Sequence, residues 1–210
     1  MSSSASDPRE VVRAGYDAIA ERYAKWQVAG LPTAEWIAKL LERLPDDSNV
    51  LEIGCGNGEP SARMLSEHHR YTGVDISRAQ LERARTLVPG ETFVEADYTA
   101  FEPEVPVDAV VAVLTTTHVP REEHAVLLAR IAGWLRPGGL LLATFGTGDL
   151  DSWFEEDWLG APMFFSHFDA ETNLRLVREA GFSLLESEIV PMLEDGHGEV
   201  RFLWVIGSRT

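Results

Sequence analysis

Val12, Tyr16, Ile19, Tyr23 and Trp26 recur at alternating steps of four and three, the spacing of one face of a helix beginning at Pro8. Gly30-Leu31-Pro32 interrupts that helix. Thr33 is placed as the N-cap of a second helix carrying Trp36, Ile37, Leu40, Leu41 and Leu44, which Pro45-Asp46-Asp47 ends. The rhythm then changes to short apolar runs between amphipathic stretches. Asn49–Ile53, Tyr71–Asp75, Thr92–Glu95, Asp108–Leu114 and Leu140–Phe145 read as strands. Pro60–His69 and Arg78–Leu87 read as helices, with His68-His69 at the end of the first. His124, Leu128, Ile131 and Leu135 mark another helix, closed by Arg136-Pro137-Gly138-Gly139. Strands apolar on both faces and separated by helices predict a mostly parallel sheet covered on both sides. After Gly148 the pattern lapses, and residues 151–168 read as irregular and aromatic-rich. A helix follows from its N-cap Asp169 to Ala180, with Gly181 at its end. Phe182–Val190 and Val200–Ile206 are the last strands, and the glycine-containing link Met192–Glu199 favours their antiparallel pairing.

Composition narrows the function. An apolar fraction of 45% and a charged fraction of 25% exclude a mainly disordered chain, and 210 residues suit one domain. The 34 acidic residues against 18 basic give a formal charge of −16, which repels phosphate backbones and anionic membrane. Nucleic acid and membrane are therefore not expected as partners. Cys55 is the lone cysteine, so no internal disulfide and no oxidising compartment is expected. Residues 1–10 lack the apolar stretch of a signal peptide, and no apolar run approaches the ~20 residues of a spanning helix. The expectation is a cytoplasmic protein. The histidines show no metal-ligand spacing, so no metal is expected.

The chemistry gathers at the strand ends. Val50-Leu51-Glu52-Ile53-Gly54-Cys55-Gly56-Asn57-Gly58 runs off a strand toward a helix at Pro60. Glycines there permit a sharp turn and close ligand approach, and a helix N-terminus offers N–H groups to a polar ligand. The spacing is G-x-G-x-G rather than the G-x-G-x-x-G of dinucleotide binders. Asp75 closes the second strand 21 positions after Gly54, where a carboxylate accepts both hydroxyls of a ribose. Asp97 follows the third strand in Glu95-Ala96-Asp97-Tyr98, placed to accept from an adenine amino group.

These residues, with Gly73-Val74-Asp75-Ile76-Ser77, Trp158-Leu159-Gly160-Ala161-Pro162-Met163 and the run from Asp108 to Gly146, resemble class I S-adenosylmethionine-dependent methyltransferases, small bacterial members acting on small molecules. The resemblance covers residues 10–207 and implies an α/β, Rossmann-like three-layer sandwich around a seven-stranded, mostly parallel sheet with an antiparallel last strand. It implies a frayed tail over 1–7 and one domain over 8–210. Within that domain lie an N-terminal helical cap (8–45), a cofactor-binding core (48–146), an acceptor-side insert (150–168) and a C-terminal helix and strand pair (169–207). It further implies that Glu52, Gly54, Cys55, Gly56 and Gly58 surround the methionine part of S-adenosylmethionine. Asp75 would hold the ribose, Ile76 would pack on the adenine, and Asp97 and Tyr98 would meet its edge. Leu114 and Thr115 would border the methionine group, and Tyr23 would close over the cofactor. Thr115-Thr116-Thr117 departs from the bulkier residues common in such sequences.

The implied reaction methylates an O, N or C atom of a small-molecule acceptor and releases S-adenosylhomocysteine. The rivals are a non-catalytic S-adenosylmethionine-binding regulator or scaffold and a nicotinamide-dependent oxidoreductase. His118, after the fourth strand, is the first candidate base; His167, in the aromatic segment, is the second. Tyr16, Trp153, Trp158, Phe165 and His197 are expected to contact the acceptor. The oligomeric state expected is a monomer or homodimer.

Overall fold

Alternate residues along each central strand point to opposite faces of one sheet and find different partners there. The computed structural model describes residues 7–27, 31–194 and 198–210. Leu51, Ile53, Val110, Ala112, Leu141, Ala143, Leu203 and Val205 pack on one face against Leu127, Leu128, Ile131, Trp134 and Val177. Val50, Ala109, Val111, Leu140, Leu142, Trp204 and Ile206 pack on the other against Trp36, Ile37, Leu40, Ala62, Leu65, Leu81 and Ala84. Continuous apolar strands therefore mean two buried faces, as expected.

The elements run α1 (Pro8–Gln27), α2 (Thr33–Leu41), β1 (Asn49–Ile53), α3 (Ser61–Ser66), β2 (Arg70–Asp75), α4 (Arg78–Leu87), β3 (Thr92–Glu95) and β4 (Val107–Ala112). They continue with α5 (His124–Trp134), β5 (Leu135–Gly146), β6 (Leu150–Trp158), β7 (Ala161–His167), α6 (Ala170–Glu179), β8 (Phe182–Glu194) and β9 (Gly198–Arg209). The seven-stranded sheet has the order β3-β2-β1-β4-β5-β9-β8. β1 to β5 are parallel, and β9 is antiparallel to both β5 and β8. This is the expected Rossmann-like fold with its antiparallel last strand. No helix among the described residues is long and apolar enough to cross a membrane.

Several local expectations change, among them the start of β5 at Leu135, a residue expected on the preceding helix, and the longer spans of β8 and β9. Residues 150–167 form a second, two-stranded antiparallel sheet rather than an irregular segment. Its two-residue turn, Leu159-Gly160, has φ of 53° and 89°, the left-handed pair that matches strand twist in a tight hairpin. Helix α3 stops at Ser66, because His69 Nδ1 accepts from the Ser48 N–H and Arg70 N–H bonds Ser48 O, so the chain is already entering the sheet. β4 ends at Ala112, since Leu114 takes φ 54° and gives its N–H to Thr144 Oγ1 at 2.7 Å. Thr33 is the first residue of α2, not its cap, and Pro32 precedes it. The tail expected over 1–7 lies outside the described residues except for Asp7, whose carbonyl accepts from Val11 N–H and whose carboxylate accepts from Arg9 N–H.

A third cluster roofs the carboxyl ends of the strands. Val12, Ile19 and Tyr23 of α1 pack there with Trp158, Ala161, Met163 and Phe164 of the hairpin. Gly15 permits the crossing: a Cβ there would lie 2.6 Å from Pro162 O.

Candidate functional site

The strand order reverses between β1 and β4, and open α/β sheets hold ligands at the carboxyl ends beside such a switch point. A partly enclosed cavity opens there. Gly54, Gly56, Asp75, Ile76, Asp97, Tyr98, Leu114, Thr115, Tyr16, Tyr23 and His118 line it, so most of the expected site residues meet in one place.

The glycine turn shapes the floor. Gly54 has φ 67°, and a Cβ there would sit 2.2 Å from Thr115 Oγ1, so glycine alone lets the two loops close. Thr115 Oγ1 donates to Ile53 O at 3.0 Å, and Thr116 Oγ1 to Thr144 O at 2.6 Å, so these threonines brace the floor. Four N–H groups of the turn are already paired within the protein. Those of Gly54 and Cys55 go to Val74 O, that of Gly56 to Asp75 Oδ2 and that of Gly58 to Cys55 O. The turn therefore presents shape more than donors.

Three expected contacts lie off the cavity wall. Glu52 is buried with Ser61 Oγ donating to Oε1 at 2.5 Å and Tyr71 OH donating to Oε2. Burial raises its pKa to about 7. The Cys55 thiol packs against Gly73, whose added Cβ would meet Sγ at 2.8 Å, and burial pushes its pKa up. Gly58 faces Ala62, Ala84 and Val88 instead of the cavity. These residues fit the turn to the sheet.

Asp75 is held from both sides: Oδ2 accepts from Gly56 N–H and Oδ1 from Ser77 N–H, each at 2.8 Å. It is 8% exposed, and burial raises its pKa to about 6. Asp97 Oδ1 accepts from Thr99 N–H and Oγ1 at 2.6 and 2.5 Å, while Oδ2 pairs with Arg9 Nε at 3.1 Å. Arg9 also pairs with Glu123, to which Tyr98 OH donates at 3.3 Å.

His118 has a fixed tautomer. Its Nδ1 lies 2.8 Å from Phe164 O, and a carbonyl only accepts, so Nδ1 carries the proton. Nε2 is then the acceptor for Tyr16 OH at 2.7 Å. Burial lowers the His118 pKa to about 4, which keeps the ring neutral near pH 7. Burial also drives the Tyr16 hydroxyl well above its usual range.

The remaining expected residues surround a second groove of about 900 Å³, mouth included. Trp153, Trp158, Phe165 and His167 line it with Thr117, Glu155, Glu194, Arg201 and Phe202. His167 Nδ1 donates to Gly148 O at 2.5 Å, leaving Nε2 as its acceptor atom. One aromatic layer separates groove from cavity: the His118 ring lies 4.9 Å from Phe165 and 6.0 Å from Trp158, centroid to centroid. His197 lies outside the described residues. No group of three or more His, Cys, Asp or Glu among the described residues is arranged to hold a metal ion.

The sequence reading missed Arg9, Val12, Gln80 and Val119, all on the cavity wall, and Asp17, which anchors α1. Asp17 Oδ1 accepts from Ser77 Oγ at 2.7 Å and Ala79 N–H at 3.0 Å, so a residue of α1 caps α4. Gln80 is 1% exposed, and neither Oε1 nor Nε2 has a hydrogen-bond partner. A buried amide without partners is costly. Position in the first turn of α4, five residues after Asp75, was the one available signal.

Comparison with known proteins extends this picture. Residues 21–187 match the family described as "Methyltransferase domain". Trans-aconitate 2-methyltransferase of Enterobacter sp. (strain 638) is 40% identical over 112 residues, 52% of this chain and 43% of that protein. The Azoarcus sp. (strain BH72) enzyme of the same name is 37% identical over 106 residues, 49% of this chain and 41% of that protein. The chain thus spans less than half the length of the curated relatives it matches. Among solved structures, Burkholderia thailandensis 1,6-didemethyltoxoflavin-N1-methyltransferase, bound to 1,6-didemethyltoxoflavin and S-adenosylhomocysteine, gives a TM-score of 0.74 at 20% identity, covering 100% of this chain and 93% of that one. Magnesium protoporphyrin IX methyltransferase from Synechocystis PCC 6803, bound to S-adenosylmethionine, gives 0.75 at 17% identity, with 100% of each chain covered. At those identities the likeness concerns the fold.

Proposed function

The chain belongs to the methyltransferase-domain family, and from that premise we propose that it transfers a methyl group from S-adenosylmethionine to an O, N or C atom of a small-molecule acceptor, with S-adenosylhomocysteine as by-product. The observation that carries this reading is the buried pair on the cavity wall: the Asp75 carboxylate and the partnerless Gln80 amide. Bound there, S-adenosylmethionine supplies an already activated methyl on a sulfonium.

The residues present fit that group. Asp75 accepts the ribose hydroxyls while its backbone bonds hold the carboxylate still. Gln80 gains partners for both amide atoms. Ile76 packs on the adenine, whose edge meets Asp97 and Tyr98, with Arg9 fixing Asp97 in place. Gly54, Gly56, Leu114 and Thr115 border the methionine portion, and Tyr23 closes over it. Glu52, Cys55 and Gly58 support the turn from behind.

For an acceptor that must lose a proton, the candidate base on the cavity wall is His118 Nε2, reached through or in place of the Tyr16 hydroxyl. His167 Nε2 is the alternative on the groove side. Trp153, Trp158 and Phe165 form the acceptor wall, so residues 150–168 serve as the acceptor-side insert. The same reading carries with it a cytoplasmic monomer or homodimer without nucleic-acid partners; the charge of −16 supports the last of these alone.

The test is a thermal melt with S-adenosylhomocysteine and with NADH. Ligand at a hundred times its dissociation constant adds about 2.7 kcal/mol, and each kcal/mol moves the midpoint by roughly 2–4 °C at this chain size. S-adenosylhomocysteine alone is expected to shift the midpoint. A shift with NADH alone makes the protein an oxidoreductase. Binding of S-adenosylmethionine without turnover on phenols, amines and carboxylates makes it a regulator.

A further inference from the structure

We propose that the acceptor is an uncharged hydroxyl compound on an apolar body, held in the first cavity by giving its O–H to the Tyr16 oxygen. Calling this ligand the acceptor rests on the methyl-transfer reading; the preference for a hydroxyl over an ion rests on the cavity wall alone.

The direction of one hydrogen-bond chain carries the argument. Phe164 O only accepts, so His118 Nδ1 donates to it at 2.8 Å and Nε2 is left as an acceptor. Tyr16 OH therefore spends its single proton on Nε2 at 2.7 Å. Both side chains line the same cavity as Asp75 and Thr115. A ligand that reaches Tyr16 there finds oxygen lone pairs and no free proton. Tyr23 also hydrogen-bonds with Tyr16, their ring centroids 5.0 Å apart. Its one proton fills one Tyr16 lone pair or turns to a ligand, and in either case a Tyr16 lone pair stays open. The donors of the adjoining loop are spent as well. Leu114 N–H goes to Thr144 Oγ1, Thr115 Oγ1 to Ile53 O, and the N–H groups of His118 and Val119 to Thr115 O and Thr116 O. A carboxylate only accepts, and among these groups it meets at most the Tyr23 proton.

Charge argues the same way, because a buried ion needs a partner of opposite sign. All 18 lysines and arginines lie among the described residues, and of these Arg9 lines the cavity. It stands about 10 Å before Tyr16 along the axis of α1, and its guanidinium is paired with Asp97 and Glu123. Arg13, on the next turn, is paired with Glu10 and Asp17. Burial keeps His118 neutral and holds the Tyr16 proton in place, so the pair adds no charge of its own. An ammonium ion could donate to Tyr16, but the carboxylates of the cavity are already engaged. Asp75 accepts from Gly56 and Ser77 N–H, and Asp97 is held by Arg9 and Thr99. Val12, Val113, Leu114 and Val119 add apolar wall, and Trp158 and Phe165 back the Tyr16–His118 pair from behind. A hydroxyl on an apolar body meets all of these conditions.

The experiment compares 2-naphthol, 2-naphthoate and 2-naphthylmethylammonium, which share a ring system and differ in charge. Binding to the full chain is measured by calorimetry with S-adenosylhomocysteine present, at about pH 8, where an ordinary histidine is neutral. 2-Naphthol is expected to bind about tenfold more tightly than either ion, or better, the scale set by leaving a buried polar group unpaired. Tyr16→Phe keeps the ring and removes the open lone pair; it is expected to weaken 2-naphthol about fivefold and to leave 2-naphthoate no weaker. The wild-type ranking alone decides the charge preference, and the variant assigns it to Tyr16. Equal or tighter binding of either ion, an unchanged 2-naphthol affinity in the variant, or no binding of any probe overturns the proposal. Failure of S-adenosylhomocysteine to bind the wild-type chain, with the 2-naphthol preference intact, overturns the cofactor reading and leaves the cavity's selectivity standing.

Discussion

Gln80 tests the cofactor reading most directly, because ligand binding and stability should move in opposite directions when it is replaced. Its amide is buried without partners in the ligand-free chain, and an unsatisfied buried polar group costs about 1–3 kcal/mol. Gln80→Leu is expected to raise the melting midpoint of the free protein by a few degrees and to weaken S-adenosylhomocysteine about tenfold by calorimetry. A purely structural glutamine would show no loss of affinity. Glu52 gives a pH signature. Its folded pKa is raised from 4.5 to about 7, so between those values the folded chain holds a proton that the unfolded chain has released. Its contribution to stability is present below about 4.5 and lost as pH rises through about 7. Melting midpoints of Glu52→Gln relative to wild type should therefore improve steadily from pH 4.5 to 7; a flat difference would sink the assignment. Legibility at this scale followed spacing. Asp75, Asp97 and the glycines stand at strand ends and were readable from the chain. Arg9 was not, since its partners Asp97 and Glu123 are brought to it only by folding. Glu52 was expected beside the methionine part of the cofactor, and its capture by Ser61 and Tyr71 was not legible.

Among elements, α1 is tied to the core by one side chain as well as by its apolar stripe. Asp17 accepts two hydrogen bonds at the start of α4, the helix that carries Gln80. Loss of a capping carboxylate costs about 0.5–2 kcal/mol. Asp17→Ala is expected to lower stability by about that amount and to speed amide hydrogen exchange in α1 and the first turn of α4, with exchange in β4 and β5 unaffected. Uniform acceleration across the chain would instead mean that Asp17 supports the fold as a whole. The parallel strands were readable because both their faces are buried, which leaves a continuous apolar run. The β6–β7 hairpin was not readable, because register shifts between Leu150 and Trp153 and between Glu155 and Trp158 break the period of two that marks a strand. Only Leu159-Gly160 hinted at a two-residue turn, and leucine is an unusual residue at φ 53°. The hairpin gains its order from α1, which covers Met163 and Phe164.

On the scale of the whole molecule, charge sets the balance between self-repulsion and local pairing. The chain carries 34 acidic and 18 basic residues. Many of the basic ones are spent in exposed pairs such as Arg78–Glu82 and Arg175–Glu179. Such pairs contribute about 0–1 kcal/mol each, and salt screens them. The excess carboxylates repel one another over longer distances, and this repulsion loosens the folded chain more than the expanded one. Raising salt from ~0.01 M to ~0.15 M shortens the screening length from about 30 Å to about 8 Å, which removes the long-range repulsion while leaving contacts at 3 Å partly intact. The melting midpoint should therefore rise with sodium chloride over this range. A midpoint that drops with added salt would mean that the ion pairs outweigh the excess charge.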